Sequence, residues 1–391
     1  MAESSGNAAD LEIKAVVRGL DAVIVGGGLG GLKAARLLAA AGLEFVLLEA
    51  RPRLGGRILS MSAGPADCPD RFDLGPAWFW PDSQPRIARL VAELGLQSFP
   101  QHEAGLTRIE HSTRTPPQSV ASYHQVPVPF RLTGGMAALS DAVVAQLPSN
   151  RILMGHRVTR AAQSGAGALV EAKTGQGCTV AFEASAVIVA VPPRLAVSTM
   201  EFVPPWPGRI AAGLLGTPTW MAGQAKFVAV YDQPFWRAAG LSGAARSLAG
   251  PIAEVHDASS LDGYAALFGF VGVPARERTS LGGDLVTQAI VQLGRLFGSD
   301  AEAPRAVLFK DWAADDLTST ALDLRHGSGH PVYSTTRAAS WGPGVLAWAG
   351  SEAALGHSGY LEGALEAAEA AAGELMKQST KHGLLGRASR T

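Results

Sequence analysis

Residues 22–57 read AVIVGGGLGGLKAARLLAAAGLEFVLLEARPRLGGR, and this stretch decides the fold. The apolar run Ala22 to Val25 enters a glycine cluster. A helix is predicted from Leu29 to about Ala41, stopped by Gly42, and a second apolar strand, Phe45 to Leu48, ends on Glu49. Unbroken apolar strands around a helix make a βαβ unit whose parallel sheet is covered on both faces. Gly26-Gly27-Gly28-Leu29-Gly30-Gly31 satisfies GxGxxG between that strand and that helix. In this pattern Gly26 permits the tight turn, Gly28 lets the backbone approach a pyrophosphate, and Gly31 lets helix and strand pack closely. The helix N-terminus adds free N–H groups and a positive dipole end. Glycine-rich turns are common, so the context carries the reading. Glu49 stands 21 positions after Gly28, where a carboxylate accepts both ribose hydroxyls of an adenosine and repels a 2′-phosphate.

The next residues, Glu49-Ala50-Arg51-Pro52-Arg53-Leu54-Gly55-Gly56-Arg57, separate FAD from NAD. Arg51 and Arg57 can neutralise a pyrophosphate, and the glycine pair lets backbone run close to a long cofactor. Arg53 alone reads as an exposed, solvated charge. No second GxGxxG follows, so a separate NAD(P)H site is not expected.

Outward from this unit, a mostly polar leader precedes Gly19, and Pro, Gly and Ser crowd Met61 to Pro85, which reads as loops. Helices are expected over Ile87 to Gln97, after Gly134-Gly135-Met136, and over Tyr360 to Lys377. Strands are expected at Ala186–Val191, Val228–Tyr231, Ala265–Val273 and Val345–Ala349. The expected fold is α/β: a Rossmann-like FAD-binding domain from 1–83, 131–215 and 326–377, and a discontinuous, strand-rich α+β substrate domain from 84–130 and 216–325. Residues 378–391 read as a disordered tail.

Bulk composition bounds the function. With 47% hydrophobic and 17% charged residues in 391, the chain can bury a sizeable core. A net charge of −1 with interspersed signs gives no electrostatic case for nucleic acid or an anionic membrane as partner. Cys68 and Cys178 form no CxxC, so no disulfide framework or metal site is indicated. The polar start lacks a signal-peptide pattern, and no apolar run reaches the roughly 18 residues of a spanning helix. A cytoplasmic protein handling a small molecule is the expectation.

Beyond the fingerprint, EARPRLGGR (Glu49–Arg57), FDLGPAWFWP (Phe72–Pro81) and Gly134-Gly135-Met136 resemble the flavin amine oxidase superfamily, which includes monoamine and polyamine oxidases. So do AVIVAVPPRL (Ala186–Leu195), AKFVAVYDQPFWR (Ala225–Arg237) and AGSEAALGHSGYLEGAL (Ala349–Leu365). The resemblance implies that the Gly-x-Glu turn at Glu352 touches FAD and that the helix from Leu361 aims its N-terminus at the flavin's pyrimidine edge. It also implies that the backbone at Val158 meets adenine and that Pro76, Ala77 and Trp78 flank the isoalloxazine ring. Lys226 then holds a water against flavin N5, although a lysine at a strand end more commonly snorkels to solvent. Tyr360 forms one wall of an aromatic cage, with Tyr333 as candidate second wall and Trp341 as its substitute. No cysteine lies near Tyr333, so non-covalent FAD is implied.

The reaction implied is oxidation of a small amine at the carbon bearing nitrogen. Hydride goes to flavin N5, the imine hydrolyses, and O2 reoxidises the flavin to give hydrogen peroxide. The stretch after the DLG motif carries aromatics and no arginine, so an amine without an α-carboxylate is expected. Arg325 or Arg337 could supply such a clamp from a loop. A carbon–carbon desaturase and a non-catalytic flavin scaffold remain open alternatives, and the oligomeric state is not legible.

Overall fold

The structure is a computed structural model that describes residues 13–64, 70–122, 124–165, 167–261, 263–325, 341 and 344–381. Strand β1 (Ile13–Val25) leads through the glycine cluster into helix α1 (Leu29–Ala40), which returns to β2 (Phe45–Glu49). In an eight-stranded sheet, β1 lies between β2 and the strand Thr179–Val189, parallel to both. Ile152–Met154 and Leu346–Trp348 add further parallel pairings, while Gly167–Thr174 and His156–Ser164 continue the sheet antiparallel.

The pleat sorts the apolar runs. Ala22, Ile24, Phe45, Leu47, Ala186 and Ile188 share a core with Leu32, Ala35 and Leu38 of α1 and with Leu365, Ala368 and Ala372 of the helix Leu361–Lys381. The alternate residues, including Val23, Val25, Val46, Leu48, Val187 and Val189, meet Val158, Ala161, Val170 and Phe182 on the other side. Burying each large apolar side chain contributes about 1.5–3 kcal/mol, so strands covered on both faces need this unbroken hydrophobicity.

Three expectations shift. β1 begins at Ile13 rather than beyond Gly19, because Ala15, Val16 and Val17 pair with Val180, Ala181 and Phe182, whose backbone groups need partners. The loop-rich stretch after Leu59 holds a short antiparallel pair, Ser60–Ser62 with Arg71–Asp73. The last helix passes Gln378 and reaches Lys381; residues 382–391 lie outside the described ones.

A second sheet of seven strands runs in the order Ala306–Asp311, Ala225–Tyr231, Ala265–Val271, Ile252–Asp257, Leu241–Ser247, Leu106–Glu110 and Gln118–Ala121. One face packs Phe227, Ala229 and Leu267 on Leu285, Ala289 and Leu293 of the helix Asp284–Phe297. The opposite face packs Val228, Val230 and Phe268 on Phe72, Leu74 and Ala77 of the segment after the first sheet's glycine loop. That contact brings the two sheets to one site.

Candidate active site

A cavity of about 830 Å³ is lined from both sides of this contact, within the roughly 300–1,000 Å³ of ordinary ligand pockets. At one end is the glycine loop. Gly26 has φ 103°, and a Cβ on Gly31 would run into the Gly26 carbonyl oxygen, whereas a Cβ on Gly28 would meet only Gly56 Cα, at 3.9 Å. Gly28 thus leaves space at the cavity wall while Gly31 seats the helix. These features fit a phosphate-bearing dinucleotide laid across the helix N-terminus.

Glu49 is 4% exposed; its Oε2 accepts from Gly27 N–H at 2.7 Å and its Oε1 from Arg51 N–H at 2.8 Å. A carboxylate has about four acceptor sites, so two remain for ribose hydroxyls. Arg51 lines the cavity, with Nη2 donating to Asp315 Oδ1 at 2.6 Å and Thr318 Oγ1 at 2.8 Å. Arg53 corrects its expected role. It is half-buried, and its guanidinium donates to the carbonyls of Leu54, Gly56 and Ile58, which pins the glycine turn. A smaller cavity of about 60 Å³ beside Glu49 is lined by Val158.

Arg57 lines the main cavity but forks onto Glu352, with Nη1–Oε1 at 2.6 Å and Nη2–Oε2 at 3.0 Å. Burial alone would raise the Glu352 carboxyl's pKa, but the Arg57 charge and hydrogen bonds, with Ser351 Oγ, hold it below its ordinary value. Glu352 also accepts from Trp220 N–H, and Arg57 donates to Trp220 O. The turn itself lines the cavity through Gly350 and Ser351, so Glu352 orients Arg57 from behind the wall.

Pro76, Ala77, Trp78, Lys226, Tyr360 and Leu361 also line the cavity. Lys226 does not snorkel. It is 3% exposed, donates from Nζ to Gly75 O at 3.1 Å, and stands 3.9 Å from the Phe268 ring centroid. Burial pulls its pKa from 10.5 to about 7; nearby Asp73 opposes this and Arg131 assists it. Asp73 in turn is raised by burial, against Lys226, Ser60, Arg131 and the Met136 N–H.

Tyr360 meets Trp220 at 6.0 Å and Trp80 at 6.2 Å between ring centroids, and burial raises its phenol. Trp220 was not singled out from sequence, where its only signal is a tryptophan in the loop before the Lys226 strand. Trp341 is a correction. It is 4% exposed, packs against Phe202 and Trp206, and donates to Pro204 O, as part of the first sheet's far core. It is not among the cavity-lining residues. Tyr333 and Arg337 lie outside the described residues, as does the Arg325 side chain.

Two more lining residues were missed. Glu254 sits in register with Phe270, which is in register with Lys226, so the three form one row across the sheet. A hydrogen bond from His256 Nε2, at 2.8 Å, holds the Glu254 carboxyl below its ordinary value against partial burial. His256 is itself held between Trp78 and Phe268. Arg278 also lines the cavity, but its Nη groups are engaged by Asp311 and by the Gly223 carbonyl.

Comparison with known proteins identifies the family and the fold. Residues 110–376 match the family described as flavin containing amine oxidoreductase, and residues 24–94 match an NAD(P)-binding Rossmann-like domain. The chain is 25% identical to putrescine oxidase of Kocuria rosea over 91% of its length and 95% of that protein's. It is also 25% identical to flavin-containing amine oxidase B of Canis lupus familiaris, covering 91% and 86%. A solved structure of wild-type putrescine oxidase bound to putrescine shares the fold, with TM-score 0.74, 22% identity, and coverage of 92% of this chain and 99% of that one.

Proposed function

The chain belongs to the flavin-containing amine oxidoreductases, and on that premise we propose that it is an FAD-dependent oxidase of a small amine lacking an α-carboxylate. The proposal includes non-covalent FAD, dioxygen as acceptor and hydrogen peroxide as product. The FAD-binding unit is assigned to 1–83, 131–215 and 326–377, and the substrate side to 84–130 and 216–325. Among the described residues no helix is long and apolar enough to cross a membrane.

The observation that carries the reading is the cluster of Tyr360, Trp220 and Trp80 on the same cavity that buried Lys226 lines. Electron-rich ring faces attract an incoming ammonium. Oxidation requires the neutral amine, whose lone pair assists hydride departure, so activity should rise with pH through the bound amine's pKa. Flavin, when bound, supplies the hydride acceptor; the residues here orient the substrate and exclude water. On the cofactor side, Glu49 accepts the ribose hydroxyls, Arg51 and Arg57 face the pyrophosphate, and the Leu361 helix start stabilises negative charge on the reduced ring.

The absence of an α-carboxylate rests on charge. Arg278 has both Nη atoms engaged, by the Asp311 carboxylate and the Gly223 carbonyl, and Glu254 puts a carboxylate on the substrate wall. A carboxylate substrate would meet repulsion there, whereas a polar or cationic far end would be tolerated. Anaerobic mixing with matched pairs, such as phenethylamine and phenylalanine, tests this by bleaching of the flavin. Faster bleaching by the amine is expected. A preference for the amino acid refutes the substrate class, and no bleaching by any amine favours a scaffold.

A further inference from the structure

The segment 312–325, which follows the edge strand Ala306–Asp311 of the second sheet, crosses back to the nucleotide end of the cavity. Leu317 lines both the main cavity and the smaller one beside Val158, so the segment lies over their junction. Asp315 bridges two cations, Arg51 through Oδ1 at 2.6 Å and Lys310 through Oδ2 at 2.6 Å. Thr318, 2% exposed, accepts from the same Arg51 nitrogen. Further along, Asp323 accepts from Arg194 Nη1 and from the Thr219 and Thr320 backbone N–H groups.

We propose that this strap is part of the cofactor site, with Asp315 as a positioning residue that holds Arg51 in place for the pyrophosphate. The argument is geometric and rests on the FAD reading above. Both acceptors use Nη2, which leaves Nη1 3.8 Å from Glu49 Oε1 in an ion pair and keeps the guanidinium at the cavity wall. A free arginine side chain samples many rotamers. Fixing its fork before the ligand arrives removes that ordering from the binding step. Lys310 offsets the Asp315 charge, so the strap positions the cation without presenting a bare carboxylate to a pyrophosphate. The sequence fingerprint ends at Arg57, yet this nucleotide end is completed from more than 250 residues away.

The test is a double-mutant cycle on the flavin-loaded full chain, with FAD affinity read from released-flavin fluorescence on dilution at fixed salt. Asp315→Asn is expected to weaken FAD about tenfold, as is Arg51→Ala, and the double variant to bind no worse than Arg51→Ala alone. Unchanged affinity in Asp315→Asn, or losses that multiply in the double variant, overturns the proposal, since a merely structural residue would act independently of Arg51. Should Asp315→Asn not fold, Thr318→Val runs through the same cycle, with a few-fold loss that vanishes in the Arg51→Ala background. Failure of the unsubstituted chain to bind FAD removes the cofactor reading and this inference together. Equal binding by every variant removes only the inference.

Discussion

Replacing Lys226 with methionine should stabilise the protein at neutral pH and erase a specific pH dependence. The Lys226 pKa falls from 10.5 to about 7 on folding, chiefly by burial. At 1.36 kcal/mol per pH unit this is a cost on the order of 5 kcal/mol wherever both folded and unfolded chains carry the cation, below pH 7. Between pH 7 and 10.5 the unfolded chain binds the extra proton, so stability rises with pH; above 10.5 neither state is charged and the cost is gone. Methionine fills similar volume without the charge, but it orphans the Gly75 carbonyl, at about 1–3 kcal/mol. The net expectation at pH 6.5 is a gain of about 2–4 kcal/mol for Lys226→Met, disappearing or reversing by pH 10. Urea unfolding of both proteins at the two pH values, with FAD in fixed excess, measures this; other titrating groups cancel in the difference. A wild-type-to-variant gap that stays constant within about 1 kcal/mol across that range would falsify the buried, charge-strained lysine.

The same variant should slow reoxidation by dioxygen, because the cation stabilises developing negative charge on oxygen; stopped-flow traces of both half-reactions report it, and unchanged rates refute it. Glu49→Ala should weaken FAD by about ten- to a hundredfold, since it removes the ribose acceptor and loosens the Gly27 and Arg51 amides; full flavin after dialysis misplaces the cofactor. Arg57→Ala should cost about 3–5 kcal/mol of stability by stranding buried Glu352, and Arg57→Ala with Glu352→Gln should recover much of it in thermal melts. Acid or heat should release the flavin from the chain, and flavin that stays on denatured protein rules out non-covalent binding.

What the sequence determined by itself was local. The βαβ unit was legible because Gly26, Gly28, Gly31 and Glu49 are near neighbours in the chain, and helix and strand periodicities place them without help from distant residues. Lys226 could be put on a strand face with Val228 and Val230 by the same period of two, and the resemblance supplied its partner chemistry. Tertiary structure decided the rest. Whether Lys226 is buried depends on the Phe72–Ala77 segment and on Phe268 of a neighbouring strand. Glu254 joins the site only through cross-strand register with Phe270, and Trp220 only because Arg57 and Glu352 hold its backbone. Trp341 went the other way, into the core with Trp206, because the first sheet's far face needed covering. Asp315 reaches Arg51 through a chain reversal that no local pattern encodes. Side chains distant in sequence meet only where buried apolar faces bring their backbones together, and that pairing is a property of the whole chain.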